Sequence, residues 1–483
     1  MNHPPPTIGR AWNRREMLWS VGGGLGGLAL THLLAASEDG TDKPRPEWNG
    51  GLHHPAKVKR VIQLFMNGGA SPQDTFDYKP ELEKLHGKPF DPGAGKLVES
   101  VTGSPGFKVL KSPFTFRQYG QSGRWVSQVF PHLAKNVDDM TFLMSMVSKT
   151  NVHGPASYLM NTGFIQPGFP SMGAWLSYGL GKLTDDLPTF VVLPDARGLP
   201  YNNLGNFSAG FLPARYQGTV VKLSQSEAAI RYLFPPDASK SITKTSEADG
   251  LALLQQLNRQ HQETHPNDSR LDARIQAYEL AARMQAHAPE AFDLTKETKS
   301  TQKMYGLNQP ATESFARQCL TARRLLERGV LFVQVWSGAG GPTKNWDNHG
   351  NIEKELPPMA LATDQPIAAL LHDLKTTGLL KDTLVVWTTE FGRMPFSQGS
   401  AGRDHNGGTF VTWMAGAGLK PGISYGESDP WAWKAKTPIT VHDLHATILH
   451  LMGIDHERLT VRFSGANRRL TDVHGEVIND ILS

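Results

Sequence analysis

The sequence predicts an α/β fold, a mostly parallel central sheet with helices on both faces. Two observations carry that prediction. Short apolar runs recur along the chain, and stretches with helical apolar spacing lie between several of them. Strands buried on both faces read as continuous apolar runs, and strands alternating with helices imply crossovers that cover the sheet.

The first run, Val61-Ile62-Gln63-Leu64-Phe65-Met66, ends in Asn67-Gly68-Gly69, as a buried parallel strand does where it enters a loop. Comparable runs occupy 141–144, 189–193, 331–336, 384–387 and 409–414. Between them, 361–374 sets Leu361, Ile367, Leu370, Leu371 and Leu374 near one helical face. The 442–452 stretch does the same with Leu444, Ile448, Leu451 and Met452. From about Leu223 to Leu307 β runs are lacking and helix-forming stretches dominate. Ser269-Arg270-Leu271-Asp272 has the form of a capping box with Asp for Glu, and Leu271, Ile275, Tyr278 and Ala282 follow at helical spacing. This predicts a helical insertion at about 223–307, either a lid or a packing excursion.

At 483 residues the chain accommodates one large domain with an insertion as readily as two domains. Its net charge of +4 comes from 49 basic and 45 acidic residues, with no basic stripe, so nucleic acid is not an expected partner. A single cysteine, Cys319, excludes an internal disulfide and a Cys-rich zinc knuckle, and its helical setting reads as structural.

Arg14-Arg15 precedes a weakly apolar stretch from Leu18 to Ala36, the layout of a twin-arginine signal over residues 1–36. Five glycines, Ser20 and His32 make that stretch too polar for a stable span, which wants about twenty strongly apolar residues. The expectation is a periplasmic or secreted protein, exported folded by the twin-arginine machinery and without a membrane span when mature. Residues 37–59, polar and holding Pro44, Pro46, Gly50 and Gly51, read as a linker, and 60–483 as the domain.

In open α/β sheets, ligands gather beyond the carboxyl ends of strands. Asn67 follows one predicted strand, Glu390 another, and Asp347-Asn348-His349 lies in a Gly-rich loop after a third. Gly402-Arg403-Asp404-His405 sits just before the run at Thr409. Asp347 and His349, two apart, share one side of an extended segment and can reach one cation. Mixed carboxylates and imidazoles suit zinc, manganese or iron. Such ions activate water and clamp the oxygens of a phosphate or sulfate ester.

The segments Phe65 to Asp77, His153-Gly154 through Asn161-Thr162-Gly163, Trp346 to Gly350, Thr389 to Pro395, Gly402 to His405 and Val441 to Thr447 resemble the domain-of-unknown-function 1501 family. That family is grouped with the alkaline phosphatase and sulfatase superfamily. The resemblance implies an alkaline phosphatase-like fold and an exported hydrolase of phosphate or sulfate esters, small-molecule or polysaccharide, using a metal-activated water. It implies one or two divalent ions, zinc or manganese, held among Asn67, Asp74, Asp347, His349, Glu390, Asp404 and His405. Three positions depart from the superfamily pattern: Asn67 replaces an Asp, Phe391 a His, and His153 stands where the nucleophile is expected. His153 is then a metal ligand or a histidine nucleophile, and Arg393 and Arg403 are candidate anion-binding groups. The sulfatase Cys-x-Pro-x-Arg signature is absent, as is an Asp-Ser-Ala stretch. A binding or assembly protein with a degraded site, and a phosphotransferase or mutase, are the alternatives. Asp443, between His442 and His445, reads as a helix cap.

Overall fold

A computed structural model describes residues 52–93, 98, 108–223, 244–265, 269–399 and 401–483. Residues 1–36, read as a signal, and residues 37–51 of the predicted linker lie outside the described residues. The principal strands are β1 (Arg60–Met66), β2 (Thr141–Val147), β3 (Phe190–Leu193), β4 (Thr219–Val220), β5 (Phe332–Ser337), β6 (Thr383–Thr388), β7 (Gly392–Gln398), β8 (Gly402–Asn406), β9 (Phe410–Gly416), β10 (Ile423–Tyr425) and β11 (Ile439–Thr440). All six apolar runs are therefore strands.

Nine strands form one sheet in the order β10-β2-β9-β6-β1-β5-β3-β4, with β11 beside β2. β1 runs parallel to both β5 and β6, and β3 parallel to β5 and β4. Only β9 is reversed, antiparallel to β2 on one side and β6 on the other. That double reversal restores β2 to the direction of β6. The carboxyl ends of β1, β2, β5 and β6 consequently share one edge of a mostly parallel sheet.

The principal helices are α1 (His153–Thr162), α2 (Met172–Leu180), α3 (Lys244–Thr264), α4 (Ser269–Phe292), α5 (Glu313–Glu327), α6 (Ile352–Thr376) and α7 (Val441–Leu451). Side-chain alternation along β1 sorts them into two layers. Ile62, Leu64 and Met66 join one core with α5 and α6, while Val61 and Phe65 join the other with α1, α2 and α7. Helices thus cover both faces. No helix among the described residues is long and apolar enough to cross a membrane.

Some boundaries differ from the sequence reading. α6 starts at the Asn351 cap, whose side chain accepts from Lys354 N, and runs through Pro357 and Pro358. Leu361 is 56% exposed because it is out of phase with the buried line of Leu356, Met359, Ala360, Thr363, Ile367, Leu370 and Leu374. The end of the predicted linker is tied to the domain, His53 N donating to Gly453 O at 2.8 Å and Lys57 N to Leu451 O at 2.8 Å. α3 and α4 occupy the segment read as a helical insertion, with the Asp272 side chain outside the described residues.

Polar contacts fix α1, which begins with His153. Gln334 and Gln63 are in register on β5 and β1, and Gln334 Nε2 donates to Gln63 Oε1 at 2.8 Å and to Asn161 Oδ1 at 2.7 Å. From α7, His442 Nε2 meets Gly163 O at 2.8 Å and His445 Nε2 meets Met160 O at 2.9 Å. α7 is itself held by a capping box between Thr440 and Asp443. The motifs around Asn161 and His445 are therefore a clasp that sets the depth of α1.

Burial lowers the His445 pKa to about 3, against which its bond to Met160 O works only partly. The native ring is neutral, so protonation of the unfolded chain favours unfolding. This contribution is complete above the ordinary histidine value of about 6.5 and is lost as pH falls from there toward about 3. Urea unfolding between pH 7 and pH 5 should show a loss of up to about 1.4 kcal/mol per pH unit from this group below pH 6, absent in His445→Leu. An identical pH slope in the variant contradicts the assignment. The Cys319 thiol, fully buried and raised well above its usual range by that burial, should resist a thiol reagent in native protein and react on unfolding, as absorbance titration reports.

Candidate metal centre

Four strand ends deliver the site. After β1 come Asn67, Gly68 and Gly69. After β2 the chain passes Asn151 and Val152 and starts α1 at His153. The loop after β5 carries Asp347 and His349, and Glu390 lies just past β6. From there the chain rises into the β7–β8 hairpin, in which His405 pairs with Arg393. A register shift between Arg403 and His405 marks a bulge at Asp404. The bulge breaks the alternation that would aim Arg403 and His405 to one face.

One ligand atom each from His153, Asp347, His349 and His405 lies within 4.8 Å of the others. Asp347 Oδ1 is the common point. It is 2.7 Å from His349 Nε2, 3.1 Å from His405 Nε2, 3.3 Å from His153 Nε2 and 2.6 Å from an Arg393 Nη2. His349 Nε2 and His405 Nε2 are 2.7 Å apart.

The hydrogen-bond partners on the far side of each ring decide what those Nε2 atoms can be. His405 Nδ1 sits 2.7 Å from the Asn151 carbonyl, which can only accept. His153 Nδ1 sits 2.6 Å from Glu390 Oε1, and His349 Nδ1 bonds Gln398 Oε1. Each Nδ1 is thereby the donor and each Nε2 the nitrogen with a free lone pair. Three lone pairs and a carboxylate oxygen then face one point. Two unprotonated nitrogens at 2.7 Å repel unless a proton or a metal ion sits between them, and His153 Nε2 is buried without a hydrogen-bond partner. The donor set fits a divalent transition metal.

The electrostatics agree. Burial opposes ionisation of Asp347, yet the imidazoles of His153, His349 and His405 beside it and the Arg393 charge hold its carboxyl far below the usual range. His405 is lowered to about 4 by burial, with Arg393 and His153 adding to it and Asp347 opposing. Burial works against a charge on His153, but the Asp347 carboxylate beside Nε2 and the Glu390 carboxylate bonded to Nδ1 outweigh it and raise its pKa. The raised His153 pKa favours a proton at that position, which an ion held by the same atoms would displace.

The remaining sequence-predicted residues fall outside this cluster of donors. Glu390 is a supporting group: Oε1 accepts from Gly68 N at 2.8 Å as well as meeting His153, and Thr389 Oγ1 lies 3.1 Å from Oε2. Asp74 is paired with Arg403 through contacts of 2.6 and 3.1 Å, both side chains fully buried, and Ser71 Oγ adds a 2.5 Å bond. Asp404 Oδ1 accepts from the His405 amide at 2.8 Å. Asn67 donates its amide to Gly338 O and Ala339 O, leaving Oδ1 buried and without a hydrogen bond.

The two arginines differ from the anion-binding role expected of them. Arg403 is spent on Asp74 and Met394 O. Arg393, 0% exposed, donates to Gly69 O, Gly68 O, Trp346 O, Arg403 O and Asp347. Neither guanidinium faces solvent. Phe391, where the superfamily pattern has a histidine, packs 4.8 Å from both the His153 and His405 rings.

Tyr201 is a residue that sequence reasoning missed. Its ring stacks on His153 at 4.4 Å and 7°, and its hydroxyl donates to Gly341 O at 2.9 Å. Burial, with Asp347 and Glu390 nearby, raises its pKa well above the ordinary value, so it stays a neutral donor. It lies in an irregular stretch with no motif around it, and nothing in the sequence marks it.

The family model described as "Protein of unknown function (DUF1501)" matches residues 58–482. No curated protein matches in sequence. Among solved structures, the alkaline phosphatase from the Antarctic bacterium TAB5 shares 10% identity, with 82% of this chain and 98% of that one covered, at a TM-score of 0.34. Ps i-CgsB in complex with k-i-k-neocarrahexaose shares 11%, with 84% and 75% covered, at 0.38. The PsFucS1 sulfatase from Pseudoalteromonas sp. shares 13%, with 92% and 77% covered, at 0.32. The family match, which extends from the start of β1 to the last residues of the chain, establishes that this protein belongs to the DUF1501 family.

Proposed function

We propose that the protein is an exported, metal-dependent hydrolase of phosphate or sulfate esters. One observation carries the reading: three imidazole nitrogens, each made a lone-pair donor by the partner of its other nitrogen, converge with Asp347 Oδ1. His153, His349, His405 and Asp347 would hold the ion. A bound divalent ion supplies Lewis-acid polarisation of an ester oxygen and activation of water at neutral pH.

The chain's own groups do the positioning. Glu390 keeps the His153 proton on Nδ1, and the Tyr201 and Phe391 rings packed against it limit its tilt. The His349 side chain is 28% exposed, against 9–11% for His405, Asp347 and His153, so an ester and water reach the centre from the His349 side. This geometry favours His153 as a ligand over His153 as a nucleophile, because its Nε2 points at the other three donors. Export rests on Arg14-Arg15 and the weakly apolar stretch that follows.

A second reading has its own observation. Four protein donors make a closed shell, the habit of structural sites, and both arginines beside the centre are committed to protein acceptors. A binding or assembly protein that keeps a metal for stability has the same geometry. Catalysis separates the two.

The test is metal content by mass spectrometry with a panel of aryl phosphates, phosphodiesters and aryl sulfates. Asp347→Ala should weaken metal binding by more than about 100-fold and abolish turnover. Turnover that survives the substitution removes this centre from the mechanism. For a chiral phosphate ester, direct displacement by water inverts configuration at phosphorus, and net retention would restore His153 as nucleophile. Glu390→Gln, which keeps the shape but not the charge behind His153, should lower metal affinity by about 10- to 100-fold, as competition with a chromophoric chelator measures. Excess zinc or manganese at about 100 times its dissociation constant should stabilise the wild type by about 2.7 kcal/mol, and Asp347→Ala by much less.

A further inference from the structure

We infer that Arg393 occupies the place of a second metal ion, so that the centre takes one divalent cation and carries its second positive charge in the protein. The inference rests on the metal-binding reading above and concerns how many ions the centre accepts.

Two-metal hydrolytic sites share a carboxylate between two cations about 3.5–4 Å apart. Here Asp347 Oδ1 receives the three Nε2 atoms on one side and an Arg393 Nη2 at 2.6 Å as well. The carboxylate oxygen is therefore already shared between the donor cluster and a cation. That cation is fixed. Arg393 is fully buried, and its other donors are bound by the carbonyls of Gly68, Gly69, Trp346 and Arg403, the kind of oxygen shell a second ion would have needed.

The other carboxylates beside the centre, among the described residues, are engaged elsewhere. Asp74 is neutralised by Arg403, Glu390 is divided between Gly68 N and His153, and Asp404 Oδ1 is on the His405 amide. Asn67 Oδ1, buried and without a hydrogen bond, is neutral. Charge reaches the same answer. Asp347, Glu390 and Asp404 against Arg393, with neutral imidazoles and the Asp74–Arg403 pair cancelling, leave two negative charges in a mostly buried volume. One divalent ion neutralises them, whereas a second would leave two positive charges uncompensated, which burial opposes strongly. The guanidinium cannot be titrated or chelated away, so it is present whatever the metal supply.

The experiment uses the full chain loaded with manganese(II) and followed by electron paramagnetic resonance and mass spectrometry. Saturation at one ion per chain with the six-line spectrum of an isolated ion is expected. Two ions per chain with an exchange-coupled spectrum overturns this inference and leaves the metal-binding reading standing, while no bound ion overturns both. Arg393→Gln, checked for folding by circular dichroism, should bind the first ion about tenfold more tightly or accept a second, because a fixed positive charge has gone from its neighbourhood. A folded Arg393→Gln with unchanged affinity and stoichiometry contradicts the role given to the arginine. Arg393→Lys keeps the charge without the fork and should remain at one ion; a second ion in that variant counts against the inference even if Arg393→Gln does not fold.

Discussion

A buried guanidinium must have every donor answered, and the cost of failing to do so organises the top of this sheet. Arg393 finds its acceptors on three separate segments: Gly68 and Gly69 after β1, Trp346 and Asp347 after β5, and Arg403 across the hairpin. None of these segments is long or apolar enough to fix itself. The first two touch backbone to backbone, with Trp346 N donating to Asn67 O at 3.0 Å. A Cβ on Gly68, whose φ is +119°, would come within 2.6 Å of Asp347 N. Asp347 is where it is because these loops are pressed together and then bolted by one side chain. The Asp74–Arg403 pair does the same one layer down, fixing the 71–75 turn to β8.

The sheet was legible because burial on both faces writes itself as uninterrupted apolar runs, and all six runs are strands. The β7–β8 hairpin left no such trace. Gly392-Arg393-Met394-Pro395-Phe396-Ser397-Gln398 and Gly402-Arg403-Asp404-His405-Asn406 carry charges and a proline, yet most of both strands is buried. Their burial is paid in ion pairs and carbonyl bonds rather than apolar area, and no periodicity records that. Leu361 failed for a simpler reason, a shift in helical phase. At the site, Asp347, His349 and His405 could be seen converging because each stands near a strand end. His153 came into view only through its distance from Thr162-Gly163. Arg393 and Arg403 show the limit of such reading, since an arginine beside a ligand looks the same in sequence whether it faces solvent or a buried carboxylate.

The protein thus separates two tasks that are often merged. Apolar packing of α1, α2, α5, α6 and α7 decides where the strand ends are. A thin layer of buried charge and backbone amides then decides which way each donor points. This second layer also holds Asn67 and Phe391. One bonds the 338–339 carbonyls, and the other packs against two imidazoles.

The three imidazoles do not lean on equal supports. His153 rests on a carboxylate, His405 on a backbone carbonyl and His349 on a side-chain amide that belongs to the end of β7. An anionic partner makes a ring the most electron-rich, a neutral one less so, and Gln398 can also swing away where a backbone carbonyl cannot. The cluster therefore has a firmly held corner at His153 and a loosely held one at His349, the most exposed of the four. If an ion is held there, His349 would be the first donor to let go, leaving the other three in register.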